Sequence, residues 1–237
     1  MKNSFLKLLL ILVIVFFGFT KILSDELKFE GSVIELLKNG NEIKGSGGIK
    51  IITKDNIKIT ADKFNYNKLK LILIAKGNVK VLTEDNLEIL ADKIEHNEKQ
   101  SILIAAGNAK ITDPTSGIQI QSDKFTYNKM SEIILSNKKT IAKDKYENYF
   151  ELEGFEYFVL KKNIKTKKVM ILDNKKNRYD INFAMINLIT DEVIGKDLKI
   201  DFINDLFNND ENQPRLKGNY LYLTKDKSII VLLRFYV

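Results

Sequence analysis

Cysteine is absent from the 237 residues, which removes disulfides, thiolate nucleophiles and thiolate metal ligands together. It leaves the compartment open. Two prolines and twelve glycines are too few for a collagen-like or low-complexity chain, and 44% hydrophobic residues are too many for a disordered one. Arginine is scarce as well: Arg178, Arg215 and Arg234 are the whole complement, so the formal net charge of +7 is carried by lysine. The guanidinium fork is the group suited to bidentate phosphate recognition. A lysine excess beside abundant asparagine and isoleucine reads as compositional bias, and no nucleic-acid partner is expected. Histidine occurs once, at His96, so it has no second histidine with which to build a metal or acid–base site. A structural place beside a turn is expected for it. No nucleophile elbow, phosphate-cradling glycine loop or zinc-binding helix motif occurs. No catalytic residue, metal or cofactor is assigned, and the chain reads as a non-enzyme.

What is present begins with Lys2 and Lys7 flanking an apolar run from Leu8 to Phe17. The run is shorter than the roughly 20 residues that span a bilayer. A basic segment followed by a short apolar one is the layout of an export signal. Residues 1–24 are therefore expected to be a signal peptide or a retained anchor. Cleavage after Ser24 removes three lysines and no acids, leaving a charge of +4.

The middle of the chain repeats. Gly77-Asn78-Val79-Lys80-Val81 returns as Gly107-Asn108-Ala109-Lys110-Ile111, a shift of 30 residues. Ala61-Asp62-Lys63 returns as Ala91-Asp92-Lys93 and then as Ser122-Asp123-Lys124, and Thr53-Lys54-Asp55-Asn56 returns as Thr83-Glu84-Asp85-Asn86. Within each unit the hydrophobic period is 2: Ile49 and Ile51, Ile57 and Ile59, Val79 and Val81, Leu87 and Ile89, and Ile118 and Ile120 each alternate with polar neighbours. That alternation marks strands with one wet and one dry face, and the Lys-Asp-Asn type segments between them carry turn chemistry. Each unit reads as three strands and two turns, joined to the next by a Gly-Asn bend. Units of this kind stack because none can bury its apolar face alone, and two facing sheets left open along one side enclose an apolar trough. The recurring Asp62, Asp92 and Asp123 do not follow the nine-residue spacing of calcium-binding rolls, so edge or turn hydrogen bonding is expected of them.

Beyond Thr140 the repeat fades while strand character continues through Phe150–Leu160, Val169–Leu172, Ile181–Leu188 and Lys196–Phe202. The expected organisation is a signal segment at 1–24, strand repeats at 25–140, their continuation at 141–218, and an atypical tail at 219–237 that suggests truncation.

The stretch from Ala61-Asp62-Lys63-Phe64-Asn65-Tyr66 to Ala75-Lys76-Gly77-Asn78-Val79 resembles the OstA-type repeat of lipopolysaccharide-transport proteins. The second copy departs in having His96 at the place of Tyr66, and the third in having Lys138-Lys139 at the place of Gly-Asn. The resemblance covers residues 46–140. It implies an all-β, OstA/LptA-like β-jellyroll of stacked antiparallel strands, working in lipopolysaccharide transport in the periplasm or at the outer membrane. The long β region and the polar stretch Asn209–Gly218 are similar to the periplasmic portion of the LptD kind. A self-contained LptA- or LptC-like protein and a non-lipid structural solenoid are the alternatives. The implied ligand is lipopolysaccharide, with the lipid A acyl chains in the trough against Ile49, Ile51, Ile57, Ile59, Val79, Val81, Leu87, Ile89, Ile118 and Ile120. The implied partners are an LptA-like bridge protein meeting an edge strand near Val33–Leu37 or on the C-terminal side, and an LptE-like lipoprotein if a barrel follows. Disulfide-forming cysteines, frequent in the LptD kind, have no counterpart here.

Overall fold

A computed structural model of the chain describes residues 27–202 and 215–224, together with the backbone of 228–236. The segment expected to be a signal, and Asn209–Pro214 of the polar stretch, lie outside the described residues. No helix among the described residues is long and apolar enough to cross a membrane.

The structure is all-β, as the period-2 alternation requires. Its strands are β1 (Lys28–Glu30), β2 (Val33–Leu37), β3 (Glu42–Ile52), β4 (Lys58–Asn67), β5 (Ile72–Leu82), β6 (Glu88–Asn97), β7 (Ile102–Asp113) and β8 (Ile118–Asn128). They continue with β9 (Ile133–Lys143), β10 (Tyr149–Phe158), β11 (Asn163–Leu172), β12 (Arg178–Asn187), β13 (Glu192–Asp201), β14 (Arg215–Leu223) and β15 (Ser228–Tyr236). All belong to one antiparallel sheet in which each strand from β3 onward pairs with the next, while β1 and β2 both lie along β3.

The long strands are bent in the middle. In β4 the buried positions are Ile59 and Ala61, then Phe64 and Tyr66; in β5 they are Leu73 and Ala75, then Val79 and Val81. The parity of burial changes once in β4, β6, β8 and β10 and is kept across three non-buried residues in β5 and β7. Each break falls at a register shift that recurs from pair to pair: Thr60/Lys63, Lys76/Val79, Leu90/Lys93, Ala106/Ala109 and Gln121/Thr126. An extra residue of this kind bends a strand and increases its twist. Stacked in line, the bends form a corner along the whole sheet, so both halves of every strand present their apolar residues to the same interior.

The repeat motifs build that corner. Gly77 has φ +80° and Asn78 φ +46°, a left-handed pair in the middle of β5; Gly107 and Asn108 repeat it in β7 with φ +77° and +46°. The Gly-Asn segment is thus a mid-strand corner, where the sequence suggested a joint between units. A Cβ on Gly77 would stand 2.9 Å from the Cβ of Asp62, so glycine is required for the close approach as well as for its backbone angle. The Asn78 side chain donates to Asp62 Oδ2 at 3.0 Å, and Asn108 donates to Asp92 Oδ2 at 3.0 Å. The recurring aspartates 62 and 92 are corner braces.

Turns lie at both ends of the strands. One row comprises residues 53–57, 83–87, 113–118, 143–149 and 172–178; the other comprises 67–72, 97–102, 128–133, 158–163 and 187–192. In the first row Thr53 Oγ1 accepts from Ile57 N, and Thr83 Oγ1 from Leu87 N, both at 3.1 Å. Asn56 and Asn86 take the left-handed position that asparagine tolerates. In the second row the asparagine ending a strand closes the turn: Asn67, Asn97 and Asn128 accept from the backbone of Lys70, Gln100 and Ser131.

Candidate functional site

All ten residues that the sequence marked as a trough lining face the interior. Ile49, Ile51, Val79 and Leu87 are 1% exposed, and Ile57, Ile59, Val81, Ile89, Ile118 and Ile120 are 0% exposed. The structure brings them into one core cluster, which continues through Leu152, Val169, Ile181 and Leu198 to Leu221. Cross-strand pairs such as Ile51↔Ile59, Ile59↔Val81, Val81↔Ile89 and Ile111↔Ile120 run as a row from strand to strand. Each such side chain contributes about 1.5–3 kcal/mol by leaving water, so the row is a large part of what holds the sheet folded. The interior is long and narrow, and its own side chains fill it.

The side opposite the corner forms a mouth, because the bend brings the two rows of turns together. Asp113, at the first-row end of β7, accepts hydrogen bonds from Tyr157 Oη at the second-row end of β10 and from Lys162 Nζ at 2.7 Å in the turn after it. Ser116 Oγ lies 3.4 Å from the same tyrosine hydroxyl. Asp113 is 1% exposed. Burial alone would raise its pKa, but the bonds from Lys162 and Tyr157 outweigh burial and hold the carboxyl below its ordinary value. Burial and the adjacent carboxylate push the Tyr157 hydroxyl far upward.

Related contacts flank this cluster. Lys129 in the second row reaches Asp85 in the first at 3.9 Å and Glu132 at 3.0 Å, and Tyr127 donates to Glu132 at 2.5 Å. Tyr146 and Lys145 in the first row reach Asp191 in the second at 2.9 and 3.6 Å. Lys54 and Asp55 lie near enough to Glu98 to bias its ionisation, and Asp55 does the same to His96. Lys129–Glu132 and Tyr127–Glu132 lie within one second-row turn; each of the other contacts joins the first-row side to the second-row side three strands further on.

The second-row ends of β4, β6, β8 and β10 place Tyr66, His96, Tyr127 and Tyr157 in one inward-facing column. His96 is 1% exposed, and neither ring nitrogen has a hydrogen-bond partner among the described residues. Its pKa is lowered by burial, with Asp55 acting weakly the other way. Among the described residues no group of three or more histidine, cysteine, aspartate or glutamate side chains is placed to hold a metal.

No family model matches the chain, and no curated protein matches it. Among solved structures it is similar to LptH, described as the LptA homologous periplasmic component of the conserved lipopolysaccharide transport device from Pseudomonas aeruginosa. The match has 13% identity and a TM-score of 0.40, and it covers 44% of this chain and 77% of LptH.

Two features of the site were not visible in the sequence. At the third corner, which lacks Gly-Asn, interior hydroxyls replace the Asp–Asn brace: Ser122 and Ser136 lie 3.2 Å apart, Thr140 donates to Ser122 at 3.2 Å, and Ser136 donates to the Lys124 carbonyl at 2.7 Å. These serines occupy the places of Ala61 and Ala75, so the repeat alignment held the signal. The other feature is the pairing across the mouth, whose partners stand 44 residues apart (Asp113 and Tyr157) or more (Lys162). No local pattern marks them.

Proposed function

We propose that the chain is a non-catalytic lipid conduit of the periplasm, a jellyroll that takes lipopolysaccharide with its acyl chains in the interior and passes it toward the outer membrane. The observation that carries this is the interior itself, an elongated apolar row shared by the long strands, with Ile51, Ile59, Val81, Ile89, Ile111 and Ile120 in line. An alkyl chain gains about 0.8 kcal/mol for each methylene taken out of water, so a ligand with several chains suits a long apolar interior that parts to admit them better than a compact pocket. The resemblance of the 30-residue units to OstA-type repeats supports the choice of lipid. It applies equally to bridge-like members of the LptA and LptC kind and to the barrel-bearing LptD kind, and the reading is made for the jellyroll they share.

Transfer needs neighbouring jellyrolls in register. β2 is suited to it: a five-residue strand paired on one side only among the described residues, with Val33, Ile34 and Leu36 43–67% exposed. A free strand edge of this kind accepts another strand through its backbone.

The test uses adjacent residues on opposite faces. Ile89 is 0% exposed in the interior, whereas Glu88 faces outward and pairs with Lys80 at 2.5 Å. A photoreactive residue at 89 is expected to cross-link to lipopolysaccharide in cells, and one at 88 is not, because alternate side chains of a strand face opposite ways. Equal labelling at the two positions, or none at 89 in a folded protein, would sink the proposal.

A further inference from the structure

The mouth is not sealed evenly. A cavity of about 250 Å³ opens between the first-row turns at 143–149 and 172–178 and the second-row turn at 187–192. Phe150, Ile171 and Ile186 from the interior line its depth, while Tyr146 and Asp191 lie at its rim. Ser116 bounds it on one side, and Ser116 is in contact with Tyr157. The next part of the mouth beyond the cavity is therefore the Asp113–Tyr157–Lys162 cluster.

We propose that this cavity is the port through which an alkyl chain reaches the interior, and that the Asp113–Tyr157–Lys162 cluster is the latch holding the mouth closed beside it. The proposal rests on the lipid reading above. At about 250 Å³ the port falls below the roughly 300–1,000 Å³ usual for a whole small ligand, so it takes the end of one chain. Admitting the rest requires the two rows of turns to part. The mouth parts at the latch because its closing contacts are polar. Separating Asp113 from Lys162 hydrates both charges, and their solvation offsets much of what the lost bonds contributed. An apolar closure has no such compensation. The flanking ion pairs are looser, Lys129 to Asp85 at 3.9 Å and Lys145 to Asp191 at 3.6 Å, and the one short flanking bond, Tyr146 to Asp191 at 2.9 Å, is solvent-exposed and contributes less than the buried cluster.

Because the chain has no cysteine, single thiols report opening directly. Ala142 is 1% exposed and pairs with Phe150 at the port, while Ala109 is 0% exposed beside the corner on β7. The experiment measures maleimide labelling of full-length Ala142→Cys and Ala109→Cys proteins, with and without Asp113→Asn. Tyr157→Phe serves as a milder second variant that keeps the ion pair. Breaking the latch is expected to speed labelling at 142 about tenfold, the change in opening equilibrium for one lost charge-assisted hydrogen bond, while 109 stays slow. Equal acceleration at both positions means global unfolding, and no acceleration at 142 means no gate; either overturns the latch. Lipopolysaccharide added to the latch variants is expected to protect 142. Absence of protection in a protein that opens normally overturns the ligand and leaves the latch standing.

Discussion

At position 96 a histidine interrupts a column of tyrosines, and the interruption has an energetic sign. Because burial depresses its pKa below 6.5, the unfolded chain takes up the proton first as pH falls. The contribution of His96 is then fully present above about pH 6.5 and is lost below it, at up to about 1.4 kcal/mol per pH unit until the folded group also protonates. Glu98 runs the other way: burial raises its pKa above 4.5, partly offset by the Tyr66 hydroxyl and Lys54, with Asp55 adding to the rise. His96→Tyr, which restores the column, is expected to remove the loss of stability that sets in below about pH 6.5 while leaving the Glu98 slope. Urea midpoints of both proteins across that range check it; an unchanged slope contradicts the assignment to His96. At the corner, Gly77→Ala forces a Cβ onto Asp62 at a φ of +80° and should cost about 1–3 kcal/mol. The same change at Gly40, which has φ +83° but nothing within 4 Å, should cost less, and paired denaturation curves give the comparison.

For the individual strands, the sequence was a good guide to existence and a poor one to shape. Alternation in Ile57-Lys58-Ile59 or Leu87-Glu88-Ile89 names the inward face without help from anything distant. The bend could not be read in the same way: a one-residue bulge reverses parity, so Ala61-Asp62-Lys63-Phe64 looks like the end of one strand and the start of another. Glycine followed by asparagine is an ordinary turn signal, and only pairing on both sides shows that β5 and β7 run straight through it. The edge was legible, since Val33-Ile34-Glu35-Leu36 is apolar without a partner to cover it. Ile34→Lys places a charge on that exposed strand, the usual means of blunting an edge. It should weaken association with an LptA-like jellyroll about tenfold or more while leaving the melting temperature of the single chain nearly unchanged. Analytical ultracentrifugation at tens of micromolar, with the wild-type chain beside it, is the measurement; equal association by both rules out β2 as the contact.

Across the whole molecule, the sheet order follows the chain with almost no exception, and side-chain links across the mouth join each stretch to one three strands away. The protein without residues 1–24 is expected to give a far-ultraviolet circular dichroism spectrum of β structure, and a helical spectrum would contradict the fold. The three-strand offset also has a mechanical meaning. Pulled apart from its two ends, a sheet whose strands bond only to their neighbours peels one strand at a time under low, even force. A strand with its turn holds about 15 residues, so each release lengthens the chain by about 50 Å. Here β7 cannot leave until Asp113 lets go of β10 and the turn beyond it. The even sawtooth should therefore be interrupted by one taller peak, followed by a longer slip in which several strands come away together. The mouth contacts that close the jellyroll sideways would thus also set its resistance to being drawn out lengthwise, as the teeth of a ratchet do for a strap.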